Sequence, residues 1–223
     1  MSAELGDGMR EETKKTLEQA VLIPVLRAGS IQTGHALVNA MMAGGVTVVE
    51  VTMTVPNALT LLRELKQRHG DSLLLGSGTV TDAAQAEATI DAGAEFVVSP
   101  SLHLDVIAKT KELGRISIPG ALTPTEVITA WRAGADYVKI FPCSAMGGAS
   151  YLKSLLAPFP ELKLIPTGGV TLQTAADFLK AGARALGVGT DLVNTPAIAE
   201  GNPGIVTNAA RAYLEAIRVA RSQ

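Results

Sequence analysis

Tyr137-Val138-Lys139-Ile140-Phe141-Pro142 is a short apolar run, rich in β-branched and aromatic residues, with one lysine inside and a proline at its end. Four to eight such residues ahead of a breaker read as a buried strand. Lysine is among the side chains least often fully buried, because its ammonium loses hydration there. A lysine in this run must be paired, neutralised or in use.

Similar runs recur on both sides of it. Strands are expected over 21–27, 47–53, 72–79, 96–100, 116–120, 137–142, 163–169 and 185–192. Helix-forming stretches separate them, over 31–43, 57–69, 82–92, 102–113, 124–133, 149–157, 172–181 and about 204–221. A leading helix is expected over 9–20, behind a frayed tail at 1–8.

Strands that alternate with helices pair in parallel, because each return needs a crossover. Eight such units predict an α/β chain folded as a single (β/α)8 TIM barrel with an additional N-terminal helix. Residues 1–20 form the tail and leading helix, and 21–223 the barrel domain. A weak repeat agrees with this count. Ala43-Gly44, Ala92-Gly93, Ala133-Gly134 and Ala181-Gly182 each end a helix, with glycines 49, 41 and 48 residues apart. Glycine suits a helix end because it tolerates positive φ. The rival is an open doubly wound sheet, but no Gly-x-Gly-x-x-Gly follows the first strand.

At 47% hydrophobic and 18% charged residues the chain has material for a large core. Its 19 basic and 21 acidic residues are scattered, with no basic tract, which argues against nucleic-acid binding. The single cysteine, Cys143, excludes an intrachain disulfide and fits a reducing compartment. No apolar run reaches membrane-spanning length and no apolar leader precedes residue 15. A soluble cytoplasmic protein, with no membrane partner, is the expectation.

In a barrel, alternate side chains point inward and active sites sit at the C-terminal strand ends. Tyr137, Lys139 and Phe141 share one strand face; Val48, Glu50 and Thr52 share another. The second and sixth strands lie opposite each other in an eight-stranded closed sheet, so Glu50 and Lys139 would meet across the interior. Such a pair can be a structural ion pair or a nucleophile with its proton shuttle. Buried ion pairs stabilise poorly, and the strand-end position favours chemistry.

Pro166-Thr167-Gly168-Gly169 and Gly187-Val188-Gly189-Thr190 end the seventh and eighth strands. Barrels often bind phosphate between these two loops, through backbone N–H groups and a helix N-terminus. Tight turns use the same glycines. Arg27 ends the first strand, facing inward, and Thr79 ends the third. Arg27 can clamp a carboxylate or phosphate in a bidentate fork, or be a solvated strand-end charge. His35, His69 and His103 fall on expected helices, and no histidine or carboxylate cluster suggests a catalytic metal. Cys143 has no accompanying histidine and reads as a packing residue.

From about Val21 to Arg218 the chain resembles the 2-keto-3-deoxy-6-phosphogluconate aldolases, which also act as 4-hydroxy-2-oxoglutarate aldolases. The matching motifs are Glu50-Val51-Thr52, Gly76-Ser77-Gly78-Thr79-Val80, Val98-Ser99-Pro100, Lys139-Ile140-Phe141-Pro142, Pro166-Thr167-Gly168-Gly169 and Gly187-Val188-Gly189. The resemblance implies a (β/α)8 barrel, usually a homotrimer, that uses no metal or other cofactor. It implies that Lys139 forms a Schiff base with pyruvate and that Glu50 moves protons through a water. Thr79 and an arginine would hold the pyruvyl carboxylate. Gly168, Gly169 and the Gly189-Thr190 turn would hold a phosphate, while Pro100 and Phe141 shape the pocket; Thr52 and Thr167 lie within the same motifs.

Many members carry arginine four residues after the catalytic glutamate, where this chain has Thr54. Others with the same Thr-x-Thr-x-Pro form keep the strand-one arginine, so the anion anchor falls to Arg27. The expected reaction is cleavage of a phosphorylated 2-keto-3-deoxy sugar acid to pyruvate and glyceraldehyde 3-phosphate, with 4-hydroxy-2-oxoglutarate as a second substrate. An aldolase for the galactonate epimer, a phosphosugar isomerase or epimerase, and a non-catalytic anion-binding barrel are the alternatives.

Overall fold

A computed structural model describes residues 2–222 of the chain. The strands form at the apolar runs and are shorter than those runs. They are β1 (Leu22–Leu26), β2 (Val48–Thr52), β3 (Leu74–Gly78), β4 (Phe96–Val98), β5 (Ile116–Ile118), β6 (Gly120–Ala121), β7 (Val138–Ile140), β8 (Leu164–Pro166) and β9 (Leu186–Val188). All pair in parallel, in the orders β5-β4-β3-β2-β1-β9 and β6-β7-β8. The helices α1 (Ser2–Ala20), α2 (Ile31–Ala43), α3 (Ala58–His69), α4 (Ala83–Asp91), α5 (Leu104–Glu112), α6 (Pro124–Arg132), α7 (Ala149–Leu156), α8 (Ala175–Lys180), α9 (Thr195–Ala199) and α10 (Pro203–Arg221) complete an α/β fold.

Eight strands in one closed sheet were expected; the described residues form nine, in two sheets. The extra break falls at Pro119, between β5 and β6. Proline has no N–H to give to a ladder and interrupts the run 116–121. An isolated bridge, Thr167 to Gly187, joins the chain beyond β8 to β9.

Both faces of the strands are buried, in separate cores, two of them large. Val49, Val51, Leu75, Val138, Ile140 and Leu186 pack with helix residues such as Leu37, Leu61, Leu152 and Phe178. The alternate residues, among them Ile23, Val48, Leu74, Phe96, Ile116, Tyr137 and Ile165, form the second core. The two-residue period of a strand produces this division, and burial on both sides explains why the runs are nearly continuous in apolar residues. The inner core fits large against small: a β-carbon at Gly76 would fall 2.1 Å from the Phe96 ring.

The leading helix α1 packs against the strands. It begins at Ser2, ahead of the expected residue 9, and Leu17 and Ala20 join the inner core. Glu18 accepts hydrogen bonds of 2.9 Å from both Tyr137 and Lys163, which immediately precede β7 and β8. Arg10 reaches Asp136 at 2.8 Å. The helix therefore covers the N-terminal strand ends, opposite the end expected to carry chemistry.

Three of the four Ala-Gly pairs behave as expected, with φ of 109°, 90° and 99° at Gly93, Gly134 and Gly182. Gly44 is a correction: it is right-handed, and Gly45 takes the positive φ. Gly44 instead makes room for α10, since its β-carbon would lie 2.5 Å from that of Ala210. His103 is also placed differently, as the N-cap residue of α5 and not within a helix. No helix among the described residues is long and apolar enough to cross a membrane.

Candidate active site

β2 and β7 each carry one charge in an otherwise apolar strand, and the fold brings the two together. Lys139 Nζ lies 3.8 Å from Glu50 Oε1, with the residues 6% and 2% exposed. That separation is an ion-pair distance, too long for a hydrogen bond. Oε1 of Glu50 is buried without a hydrogen-bond partner among the described residues. An acceptor left so is costly unless a substrate group or water meets it. The Phe141 ring centroid lies 5.2 Å from the Lys139 nitrogen on another side, within cation–π range.

Gly78 is the residue that permits this placement. β3 pairs with β2 through Thr52 and Gly78, and a β-carbon on Gly78 would fall 1.9 Å from Glu50 Oε1. The sequence marked Gly78 only as part of a motif; its role appears when the neighbouring strand is in register.

A cavity of about 500 Å³ opens at the C-terminal strand ends. Val25, Arg27, Lys139 and Phe141 form one part of its lining. Thr167, Gly168, Gly169, Gly187, Gly189 and Thr190 form the other. The expected lysine, arginine and both glycine turns thus share one space. β8 and β9 stop at Pro166 and Val188, so most of the glycine residues expected in strands lie in loops. Gly168 and Gly169 have φ of 86° and 78°, consecutive left-handed residues that side chains rarely tolerate. Gly169 also passes close to Ser144, whose β-carbon would be 2.5 Å from an added one.

Four expected residues lie outside that lining. Glu50 sits behind it, against Lys139. Thr52 is fully buried, and its hydroxyl donates to the Leu26 carbonyl at 2.9 Å and meets the Thr54 hydroxyl at 2.6 Å. Thr79 and Pro100 follow β3 and β4, and Thr79 holds a left-handed φ of 62°. Thr54 is exposed.

Thr195 and Asp191 are among the lining residues that the sequence did not single out. Thr195 donates to the Arg27 carbonyl at 3.3 Å. It begins α9, which Asn194 caps by accepting from the Ala197 N–H at 3.0 Å, and Asn-Thr-Pro is a legible helix start. Asp191 contributes a carboxylate to the glycine part of the cavity and accepts a short hydrogen bond from Tyr213 of α10. No local pattern announces that contact.

Cys143 is fully buried in the helix-side core, and burial pushes its thiol up to about 11. A neutral, enclosed thiol is a packing residue, as expected. Among the described residues no three His, Cys, Asp or Glu side chains converge as metal ligands. His35 pairs at 2.6 Å with Glu64 on α3.

Comparison with known proteins gives this arrangement a family. A profile described as "Aldolase: KDPG and KHG aldolase" matches residues 13–209. The 2-dehydro-3-deoxy-6-phosphogalactonate aldolase of Escherichia coli (strain K12) is 33% identical over 88% of this chain and 96% of its own. The 2-dehydro-3-deoxy-phosphogluconate aldolase of Treponema pallidum (strain Nichols) is 32% identical over 92% and 97%. Among solved structures, KDPG aldolase from Legionella pneumophila with pyruvate captured at low pH as a covalent carbinolamine intermediate superposes with TM-score 0.84. It is 29% identical, covering 90% of this chain and 97% of that one. The chain belongs to the KDPG and KHG aldolase family.

Proposed function

We propose that this family member is a metal-independent, Schiff-base aldolase. It cleaves 2-keto-3-deoxy-6-phosphogluconate to pyruvate and glyceraldehyde 3-phosphate, and 4-hydroxy-2-oxoglutarate to pyruvate and glyoxylate. The observation that carries the reading is Lys139, buried against Glu50 and lining a cavity whose other part is two glycine loops.

Lys139 adds through Nζ to the C2 ketone, and the carbinolamine forms. Glu50, relaying protons through water, helps the C2 oxygen leave as water and gives an iminium. The C4 hydroxyl loses its proton, the C3–C4 electron pair moves into the iminium, and the aldehyde departs. The remaining enamine takes a proton at C3 and is hydrolysed, releasing pyruvate and the amine. The iminium is the electron sink, so the sequence of steps calls for no Lewis acid.

Arg27, at the mouth, is assigned to an anionic end of the substrate. Thr79 is assigned to the pyruvyl carboxylate, Pro100 with Phe141 to shaping the pocket, and Thr52 to holding the wall through Leu26. Phe141 covers the amine. Thr167, Gly168, Gly169, Gly189 and Thr190 are assigned to the phosphate, with backbone N–H groups as donors. Anchoring the remote phosphate orients a bond several atoms away.

We read the two sheets as one closed (β/α)8 barrel over 21–223. Support comes from the Thr167–Gly187 bridge, from the Lys139 N–H donating to the Pro119 carbonyl at 2.9 Å, and from the separate inner core. Family resemblance supports a homotrimer, which sedimentation equilibrium tests. Unpaired, buried Cys143 supports a cytoplasmic location.

The test is borohydride reduction in the presence of pyruvate, followed by peptide mass mapping. A covalent pyruvyl adduct on Lys139 is expected. No adduct, or one on another lysine, overturns the assignment. A galactonate-type substrate is the second reading, because the phosphogalactonate relative is as similar as the phosphogluconate one. The two differ in configuration at C4, and kcat/KM measured side by side separates them.

A further inference from the structure

α10 lends no residue to the cavity lining, yet one of its hydroxyls reaches both loops that build the glycine part. Tyr213 is completely buried. Its O–H donates to the Asp191 carboxylate, and the Val170 carbonyl oxygen lies 3.4 Å from the same phenol oxygen. Val170 directly follows Gly168-Gly169, and Asp191 directly follows Gly189-Thr190. All six residues line the cavity. The tyrosine is therefore a strut between two loops that leave different strands.

Asp191 is the odd member of that lining. Its neighbours offer N–H and hydroxyl donors, which suit an anion, whereas a carboxylate repels one. Like charges at contact distance repel, and more strongly near a protein surface than in water. Donation from Tyr213 draws one carboxylate oxygen toward the helix and spreads its charge into a hydrogen bond. Burial, and then the hydrogen bond to Asp191, push the Tyr213 phenol well above its ordinary value, so the proton stays on the donor at neutral pH.

We infer that Tyr213 is a positioning residue for phosphate recognition: it restrains the Asp191 carboxylate and holds the two glycine loops, setting the preference for phosphorylated over unphosphorylated keto acids. The inference rests on the phosphate assignment above. In this arrangement Tyr213 touches no substrate atom. Its removal frees the carboxylate to turn into the cavity, where it opposes a phosphate dianion and leaves a substrate without that group almost unaffected.

The experiment compares Tyr213→Phe with the wild type on 2-keto-3-deoxy-6-phosphogluconate and on 4-hydroxy-2-oxoglutarate, and measures inorganic phosphate affinity directly by titration calorimetry. The expected result is a rise in KM for the phosphorylated substrate at least fivefold greater than for the other, with kcat within about twofold. Inorganic phosphate affinity falls by the same factor, and adding Asp191→Asn to Tyr213→Phe recovers most of it. Equal losses on both substrates, or unchanged phosphate affinity, overturn the inference. If Tyr213→Phe does not fold, Asp191→Asn alone decides. Its amide still accepts from Tyr213 but carries no charge, so tighter phosphate binding supports the inference and unchanged or weaker binding overturns it. Pyruvate trapping on wild-type Lys139 reports separately. Without an adduct the aldolase reading fails, and the phosphate titration still scores Tyr213.

Discussion

A β-carbon on Gly78 would fall 1.9 Å from the carboxylate oxygen of Glu50 that faces Lys139. No rotation about the Cα–Cβ bond of residue 78 avoids this contact, because the β-carbon is fixed by the backbone. The Gly78→Ala enzyme must displace Glu50 by more than an ångström. A misplacement of that size costs about 100-fold in rate. Steady-state kcat should fall by that order while pyruvate still forms its borohydride adduct, since Lys139 keeps its own strand position. Turnover within twofold of wild type would show that the placement of Glu50 does not matter.

Glu50→Gln separates charge from shape. The amide fills the same space beside Gly78 but cannot take up a proton. General acid–base groups contribute about 10²–10⁴-fold, so kcat should fall within that range. Pyruvate should still bind and be trapped, more slowly. Single-turnover mass spectrometry distinguishes the two steps, and unchanged turnover removes the proton-relay role.

The alternating architecture and the central pair were legible in the chain for one physical reason. A strand buried on both faces must be a nearly continuous apolar run, so a charge inside it stands out, as Lys139 and Glu50 do. Strand ends were less legible, because no charged residue or proline directly follows β8 or β9 to mark where the ladder stops. Pro119 was visible, but the sequence reading carried the fifth strand through it. Gly78 and the Tyr213–Asp191 contact were hidden for another reason. Their meaning depends on a neighbour supplied by a different strand or helix, and no local periodicity encodes that.

Thr79 sits at φ 62° although it is β-branched, a conformation that costs a non-glycine residue on the order of 1–2 kcal/mol. It directly follows Gly78 and ends β3. If the hydroxyl is kept for substrate, Thr79→Gly should raise the melting temperature by about 2–4 °C while raising KM for pyruvate. Thr79→Ser should keep KM near wild type. A Thr79→Gly enzyme with unaltered KM removes Thr79 from the carboxylate rim.

Cys143 has its thiol pushed up to about 11 by burial in the helix-side core. At neutral pH the thiolate is therefore a minor form, and the core excludes reagents as well. Iodoacetamide should label the native protein at least about 100-fold more slowly than the urea-unfolded chain, because the thiolate is the reacting species. Treated native enzyme should retain its activity. Rapid labelling accompanied by inactivation would make Cys143 part of the site.

Glu18 ties α1 to the N-terminal strand ends, accepting from Lys163 and Tyr137 at 2.9 Å each. The Lys163 hydrogen bond, ahead of the one from Tyr137, holds its carboxyl below the ordinary glutamate value of 4.5. A carboxylate with a depressed folded-state value adds stability that is complete above about pH 4.5 and is lost as pH falls through the lower value. Glu18 is partly exposed, so solvent screens most of the gain and the pair belongs with surface ion pairs. Glu18→Gln should lower the melting temperature by about 2 °C at pH 7. The gap between mutant and wild type should close as pH is lowered below 4.5, because both then present a neutral side chain to Lys163. Scanning calorimetry at pH 7, 5 and 3.5 reads this directly, and a constant gap across the three would show that packing, not charge, holds the helix in place.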